Sequence, residues 1–230
     1  MQKPIQHTVF TPILNENKAD HETSNSGTLK TGTTTVALIC KDCVIMAADR
    51  RATAGNMIVD KNIDKVKPVT KHIVVTTAGS VSDIQLLFKY LTAELRLKQL
   101  RVGREATVKE AANLLSGWLY SLIRSSYGIA HFLLGGYDNK PQLYDLYPDG
   151  SITEVEDYIS SGSGSVFALG VLEAQYKKGL TQEEGVQLVT KAVNAALARD
   201  SASGNGISIY VIDKNGNRRL VTKTISTTVD

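Results

Sequence analysis

Gly32-Thr33-Thr34-Thr35-Val36 is the stretch on which the reading of this chain turns. A glycine stands before a run of β-branched residues, Thr33 to Val36, and such a run favours an extended strand. Glycine before threonine also offers a backbone bond whose cleavage would leave Thr33 at an N-terminus, with a hydroxyl and a free α-amine on one residue. The amine can then act as the base that activates the hydroxyl. Gly-Thr is a common dipeptide, and the plain alternative is only the start of a strand. The rest of the chain decides between the two.

The 32 residues up to Gly32 differ in texture from the remainder of the chain. They are polar above all from Asn15 to Gly27, show little periodicity, and read as a flexible leader, with an ordinary disordered tail as the alternative. The expected division is a leader over 1–32 and one globular domain over 33–230. With 42% hydrophobic and 21% charged residues in 230, the chain can bury one sizeable core, or at most two small ones. A net charge of +3 is too mild and too dispersed for a nucleic-acid partner. No apolar run approaches the ~20 residues a membrane span needs. The N-terminus also lacks the basic start and apolar core of a secretory signal. A cytosolic protein is expected. Cys40-Lys41-Asp42-Cys43 is a CxxC, but no second pair exists and the four histidines are scattered, so no metal site is expected. The reading is of two residues that face each other across a tight turn at Lys41-Asp42.

From Thr33 onward, hydrophobic periodicity lays out the elements. Residues 34–40 and 44–49 read as a hairpin, 50–67 as a polar connection with a turn at Gly55-Asn56, and 72–78 as a strand ending at Gly79. Ser80 and Asp83 look like a capping box for a helix to about Lys98, with Ile84, Leu87, Leu91 and Leu95 as its apolar stripe. Thr107 and Glu110 open a second helix that turns Ala111, Leu115, Trp118 and Leu119 inward. Strands are expected over 130–135, 142–147 and 151–155. A third helix spans 166–177, and Thr181 with Glu184 caps a fourth to about Arg199. Strands over 207–212 and 219–224 close the chain. Strand runs separated by helix pairs imply an α+β fold of two stacked sheets with helices outside each.

Candidate chemistry narrows quickly. Ser160 to Ser165 lacks the Gly-Lys-Ser/Thr ending of a phosphate loop. No serine sits in a Gly-x-Ser-x-Gly elbow, and His72 and His131 fall in strands, where a satisfied core histidine is the commoner outcome. A threonine nucleophile needs a lysine to lower its amine's pKa by like-charge repulsion, a carboxylate to hold that lysine, and a donor for the developing oxyanion. Asp49 ends the second strand and Lys65 follows the polar connection, both within reach of the start of the first strand. Gly79 ends the third strand with a backbone N–H. The plain alternative for Asp49 and Lys65 is an ordinary ion pair.

With these residues assembled, the sequence resembles the proteasome β-subunit family, most closely its catalytic archaeal type, from Gly32 to about Thr224. The resemblance is carried by Gly32 to Val36, Ala48-Asp49-Arg50-Arg51-Ala52-Thr53, Lys65, Thr77-Ala78-Gly79-Ser80, Gly162-Ser163-Gly164-Ser165 and Arg199-Asp200-Ser201-Ala202-Ser203-Gly204. It implies that Thr33 is the nucleophile, exposed when the leader cuts itself off after Gly32. Lys65 and Asp49 are then the pair that tunes it, and Ser163, Asp200 and Ser203 hold the new N-terminus. Gly79 is the implied oxyanion donor and Arg51 a supporting charge. Thr53 and Gly79 would offer backbone groups to an extended peptide. Ala52, Ile63, Thr77 and Val81 fall where the family builds its specificity pocket, which implies cleavage after hydrophobic residues, while Lys67 near the same wall counts against that preference.

The implied fold is the four-layer αββα sandwich of N-terminal-nucleophile hydrolases. Implied partners are seven-membered β rings stacked with α-subunit rings, an ATP-dependent unfoldase regulator and unfolded polypeptide as substrate, with no cofactor. The leader would then be a lock on the α-amine of Thr33. Two other classes compete. A structural ring subunit of the same particle would lack hydrolysis, and an amidotransferase-like enzyme of the same fold would turn over a small amide instead of peptides.

Overall fold

The computed structural model describes residues 32–126 and 129–223; the expected leader up to residue 31, and Thr224 at the end of the last expected strand, lie outside the described residues. The chain opens with β1 (Thr35–Ile39), β2 (Val44–Asp49), β3 (Ala52–Ala54), β4 (Met57–Asp60), β5 (Val66–Pro68) and β6 (Ile73–Gly79). Helices α1 (Val81–Val102) and α2 (Val108–Ser126) come next, then β7 (Ala130–Tyr137), β8 (Pro141–Leu146), β9 (Ile152–Val155) and β10 (Tyr158–Ser161). Helices α3 (Ser165–Gln175) and α4 (Gln182–Leu197) precede β11 (Ile207–Asp213) and β12 (Gly216–Lys223).

Two antiparallel sheets result, ordered β10-β1-β2-β11-β12 and β5-β6-β7-β8-β9, with β3-β4 as a separate ribbon. Period-two alternation explains how they stack. In β1, Val36 and Leu38 join a core with Val189 and Ala192 of α4, whereas Ala37 between them joins a core with Val74 and Leu133 of the other sheet. The second sheet packs its outer face, including Val75, Phe132 and Leu134, on Leu91 of α1 and Leu115 of α2. The layers are therefore helix, sheet, sheet, helix, the αββα sandwich expected. Gly135 marks the close approach of the sheets, since a Cβ there would fall 2.7 Å from Met46 Sδ and 2.9 Å from Val44 Cγ1.

Local differences from expectation have physical causes. Ser80 is the N-cap of α1 but makes no side-chain cap bond. Its hydroxyl lies 3.1 Å from Ser82 Oγ instead; Asp83 is one methylene shorter than the glutamate that reaches back in a complete box. The boxes with glutamate do form, Thr107–Glu110 and Thr181–Glu184, each with bonds in both directions. Helix α1 runs on to Val102 and stops at Gly103, left-handed at φ 74°. The polar connection over 50–67 holds β3, β4 and the start of β5, each only three or four residues long and too short for an alternation to be read; all four residues of β4 are exposed. His72 falls just before β6, and its buried Nδ1 has no hydrogen-bond partner, unlike the satisfied histidine expected. Among the described residues no helix is long and apolar enough to cross a membrane.

Candidate active site

Asp49 is where the site begins. It ends β2 at a fully buried position. Its Oδ1 accepts from Lys65 Nζ at 2.7 Å and from the Thr34 N–H at 2.9 Å. Its Oδ2 accepts from the N–H groups of Arg51 and Gly204, both at 3.0 Å. Four donors match the acceptor capacity of an ionised carboxylate, so the charge is buried with partners on every side. Burial pushes the Lys65 ammonium below its ordinary value of 10.5, and the Asp49 charge opposes that shift.

Lys65 also reaches the Gly32–Thr33 peptide. Its Nζ donates to the Gly32 carbonyl oxygen at 3.2 Å. The Thr33 hydroxyl donates to the same oxygen at 2.6 Å. The Gly32 N–H donates to Thr53 Oγ1 at 2.9 Å, which holds the residue before the threonine. One carbonyl thus carries a cation and the neighbouring hydroxyl together.

On the other side of Thr33 runs a chain of hydroxyls that ends on Asp200. The Thr33 N–H donates to Ser163 Oγ at 3.2 Å, and Ser163 Oγ donates to Asp200 Oδ2 at 2.6 Å. Ser203 Oγ donates to the same oxygen at 2.7 Å. Ser203 Oγ also lies 2.7 Å from Thr34 Oγ1, and because its proton is committed to Asp200, Thr34 is the donor there. Gly162, at φ +93°, brings its backbone so close that a Cβ would lie 2.1 Å from the Thr33 carbonyl oxygen. The loop before β11 is clamped by Arg51, whose Nε donates to Asn205 Oδ1 at 2.9 Å and whose guanidinium donates to the Ser201 carbonyl at 2.8 Å.

A cavity of about 340 Å³ opens beside Gly32 and Thr33. Ala52, Thr53, Ile63, Thr77 and Val81 all line it, as does Gly79. Gly79 has φ +118°, and a Cβ there would strike the Ile129 carbonyl oxygen at 2.3 Å. The lining is largely apolar, yet it includes Lys67 and Asp64. Lys67 Nζ rests 5.2 Å from the centre of the Phe88 ring and has no carboxylate partner among the described residues. Asp64 leaves Oδ1 without a hydrogen-bond partner, while Oδ2 stands 3.3 Å from Arg219.

A family model described as "Proteasome subunit" matches residues 29–212. "Proteasome subunit beta 1" of Thermococcus gammatolerans is 44% identical over 189 residues, covering 82% of this chain and 93% of the relative. "Proteasome subunit beta" of Methanocaldococcus vulcanius is 44% identical over 191 residues, covering 82% and 85%. This chain belongs to the proteasome β-subunit family. In this proteasome β chain the predicted Thr33, Asp49, Lys65, Ser163, Asp200 and Ser203 stand together in one connected set of contacts. Sequence reasoning missed Thr34, which bonds Asp49 through its N–H and Ser203 through its hydroxyl, and Asn205, which accepts from Arg51. It also missed Thr53 Oγ1 as an acceptor, since the expected contribution of Thr53 was its backbone. Cys40 and Cys43 are buried free thiols at the far end of the β1–β2 hairpin, where the Cys40 N–H donates to the Cys43 carbonyl at 2.8 Å.

Proposed function

We propose that this chain is a self-processing threonine peptidase subunit of a proteasome core particle. The observation that carries the reading is the Gly32 carbonyl, which receives both the Thr33 hydroxyl and Lys65 Nζ. In self-cleavage Thr33 Oγ forms a bond to the Gly32 carbonyl carbon, and negative charge develops on an oxygen that already faces the Lys65 cation. The C–N bond breaks, the proton from the hydroxyl passes to the departing nitrogen, and an ester links Gly32 to Thr33 Oγ. Water then hydrolyses the ester, which yields a Gly32 carboxylate and a free Thr33 with its amine exposed.

The freed residue repeats the chemistry on substrate. Its amine takes the proton from its hydroxyl, helped by the neighbouring Lys65 charge, which keeps the amine's pKa low. Asp49 holds Lys65, while the Ser163, Asp200 and Ser203 network orients the new N-terminus. The backbone of Gly79 serves the oxyanion, and the extended peptide lies along Thr53 and Gly79 with one side chain in the cavity. Residues 1–32 are the leader that blocks the amine. The partners are further β subunits in seven-membered rings, α-subunit rings and an unfoldase regulator, and the substrates are unfolded polypeptides in the cytoplasm.

The test is hydrolysis of fluorogenic peptides by the particle assembled with α subunits. Wild type turns over peptide, and Thr33→Ala and Lys65→Ala each abolish turnover. A particle that assembles fully and hydrolyses nothing would instead be a structural ring subunit.

A further inference from the structure

The loop that grips Thr33 has a support that the threonine chemistry does not use. His131 on β7 places Nε2 at 2.5 Å from Asp145 Oδ1 on β8, and Nδ1 at 2.6 Å from Ser161 Oγ on β10. A carboxylate only accepts, so Nε2 carries the hydrogen, and in that tautomer Nδ1 accepts from the Ser161 hydroxyl. Tyr147 stacks on the imidazole at 4.8 Å between ring centres and 25° between planes, which fixes the ring's orientation. The order serine, histidine, aspartate is that of a hydrolase triad. Ser161 is 4% exposed, however, and offers a substrate carbonyl no approach.

What this relay joins gives it a role. The site is divided between the sheets. Thr33, Asp49 and Ser163 sit at the edge of the first sheet, while Thr77 and Gly79 of β6 belong to the second. In the β6–β7 register His131 lies opposite Ala78, the residue between Thr77 and Gly79. In the β1–β10 register Ser161 lies opposite Thr35, and it immediately precedes Gly162 and Ser163. The imidazole is therefore a polar bridge from the strand that carries Gly79 and the cavity wall to the loop that holds Thr33. Apolar side chains such as Ala37, Met46, Val74 and Leu133 fill the rest of the contact between the sheets, beside the second polar link that the Asp49–Lys65 pair makes to Thr77 of β6.

We propose that His131 is a positioning residue that, through Ser161, sets the spacing between the Thr33 nucleophile and the Gly79 strand. The inference rests on the threonine-peptidase reading. A reacting geometry displaced by about 1 Å loses on the order of 100-fold in rate, so a bridge that fixes part of this spacing affects turnover more than substrate binding.

The experiment measures kcat, KM and Tm for assembled particles carrying Ser161→Ala, His131→Gln, His131→Asn or Thr33→Ala. Glutamine keeps a group where Nε2 meets Asp145 and loses Ser161; asparagine keeps a group where Nδ1 meets Ser161 and loses Asp145. Ser161→Ala and His131→Gln should each lower kcat about tenfold with KM within about twofold of wild type. His131→Asn should retain more kcat than His131→Gln at a similar Tm. If kcat simply follows Tm across the three variants, or if Ser161→Ala keeps full kcat while Thr33→Ala is dead, the positioning role is overturned and the peptidase reading stands. Activity that survives Thr33→Ala overturns the peptidase reading itself and the inference with it. Should the His131 variants not assemble, Ser161→Ala, which removes a single hydroxyl, decides alone.

Discussion

Lys65 Nζ stands 2.7 Å from Asp49 Oδ1, with the lysine side chain 5% and the aspartate 0% exposed. Removing one partner of such a buried pair leaves a charge without compensation and costs about 3–5 kcal/mol. The two deletions should not be equal here. Without Lys65, Asp49 still accepts three backbone N–H bonds, from Thr34, Arg51 and Gly204. Without Asp49, three backbone donors lose their acceptor, and the buried ammonium loses its counter-charge and is left with the Gly32 carbonyl. Asp49→Ala should therefore lower stability much more than Lys65→Ala, while both abolish peptide hydrolysis. Denaturant unfolding of the two variants, read beside peptidase rates, checks this.

The Lys65 shift has a pH consequence with a definite sign. Burial lowers its pKa from 10.5. Between the lowered value and 10.5 the folded chain binds fewer protons at this group than the unfolded chain does, so its contribution to stability improves as pH rises through that window. Below the lowered value the cost of burying the ammonium is fully present. Because the chemistry needs the Lys65 cation, peptide hydrolysis should show a falling limb as pH rises through the lowered value, below pH 10.5. Lys65→Arg, which stays charged, should remove that limb. A pH–rate profile of both proteins is the measurement.

Gly162 has no room for a side chain. At φ +93°, with a Cβ 2.1 Å from the Thr33 carbonyl oxygen, alanine is both strained and in collision. Strain of this kind costs about 1–3 kcal/mol, and relief must move either Thr33 or the loop. Gly162→Ala should cut kcat for peptide hydrolysis by at least about tenfold. Steady-state kinetics on the assembled variant test it.

Lys67 gives the cavity its second character. Its ammonium lies over Phe88 within an otherwise largely apolar lining. Lys67→Leu should raise kcat/KM for peptides cleaved after leucine or phenylalanine relative to those cleaved after glutamate by up to about fivefold, the size of one partly exposed charge pair. A peptide series varied only at the residue before the cut reads the ratio directly.

The cysteine pair lies at the other end of the hairpin. Five residues of β1 separate Cys40 from Thr34, roughly 20 Å at the rise of an extended strand. Cys40→Ala should cost stability, because Sγ packs against Gly185 within the core cluster that also holds Ile45, and should leave kcat within about twofold. Thermal unfolding and peptidase assays separate the two effects.

Much of this molecule is legible in its sequence, for reasons that differ by region. The stripe Ile84, Leu87, Leu91 and Leu95 is buried as periodicity requires, because one helical face must meet the sheet. Asp49, Lys65 and Gly79 could be singled out by the chemistry an N-terminal threonine needs, whereas Ser163, Asp200 and Ser203 entered only through the family resemblance. The β3–β4 ribbon stayed hidden because its strands are only three and four residues long and β4 faces solvent throughout. The Ser161–His131–Asp145 relay was invisible for a different reason. His131 and Asp145, 14 positions apart, meet across the β7–β8 pairing, but Ser161, 30 positions from His131, reaches them only when two sheets stack. No local pattern encodes a contact made by packing two layers face to face.

The claim that Thr33 is a nucleophile released by its own chain is tested most directly by the intact mass of the β chain in the assembled particle. The wild-type chain should have lost residues 1–32 and begin at Thr33, and a Thr33→Ala chain should keep them. A fully assembled, peptide-hydrolysing particle whose wild-type chain still begins at Met1 would contradict the claim.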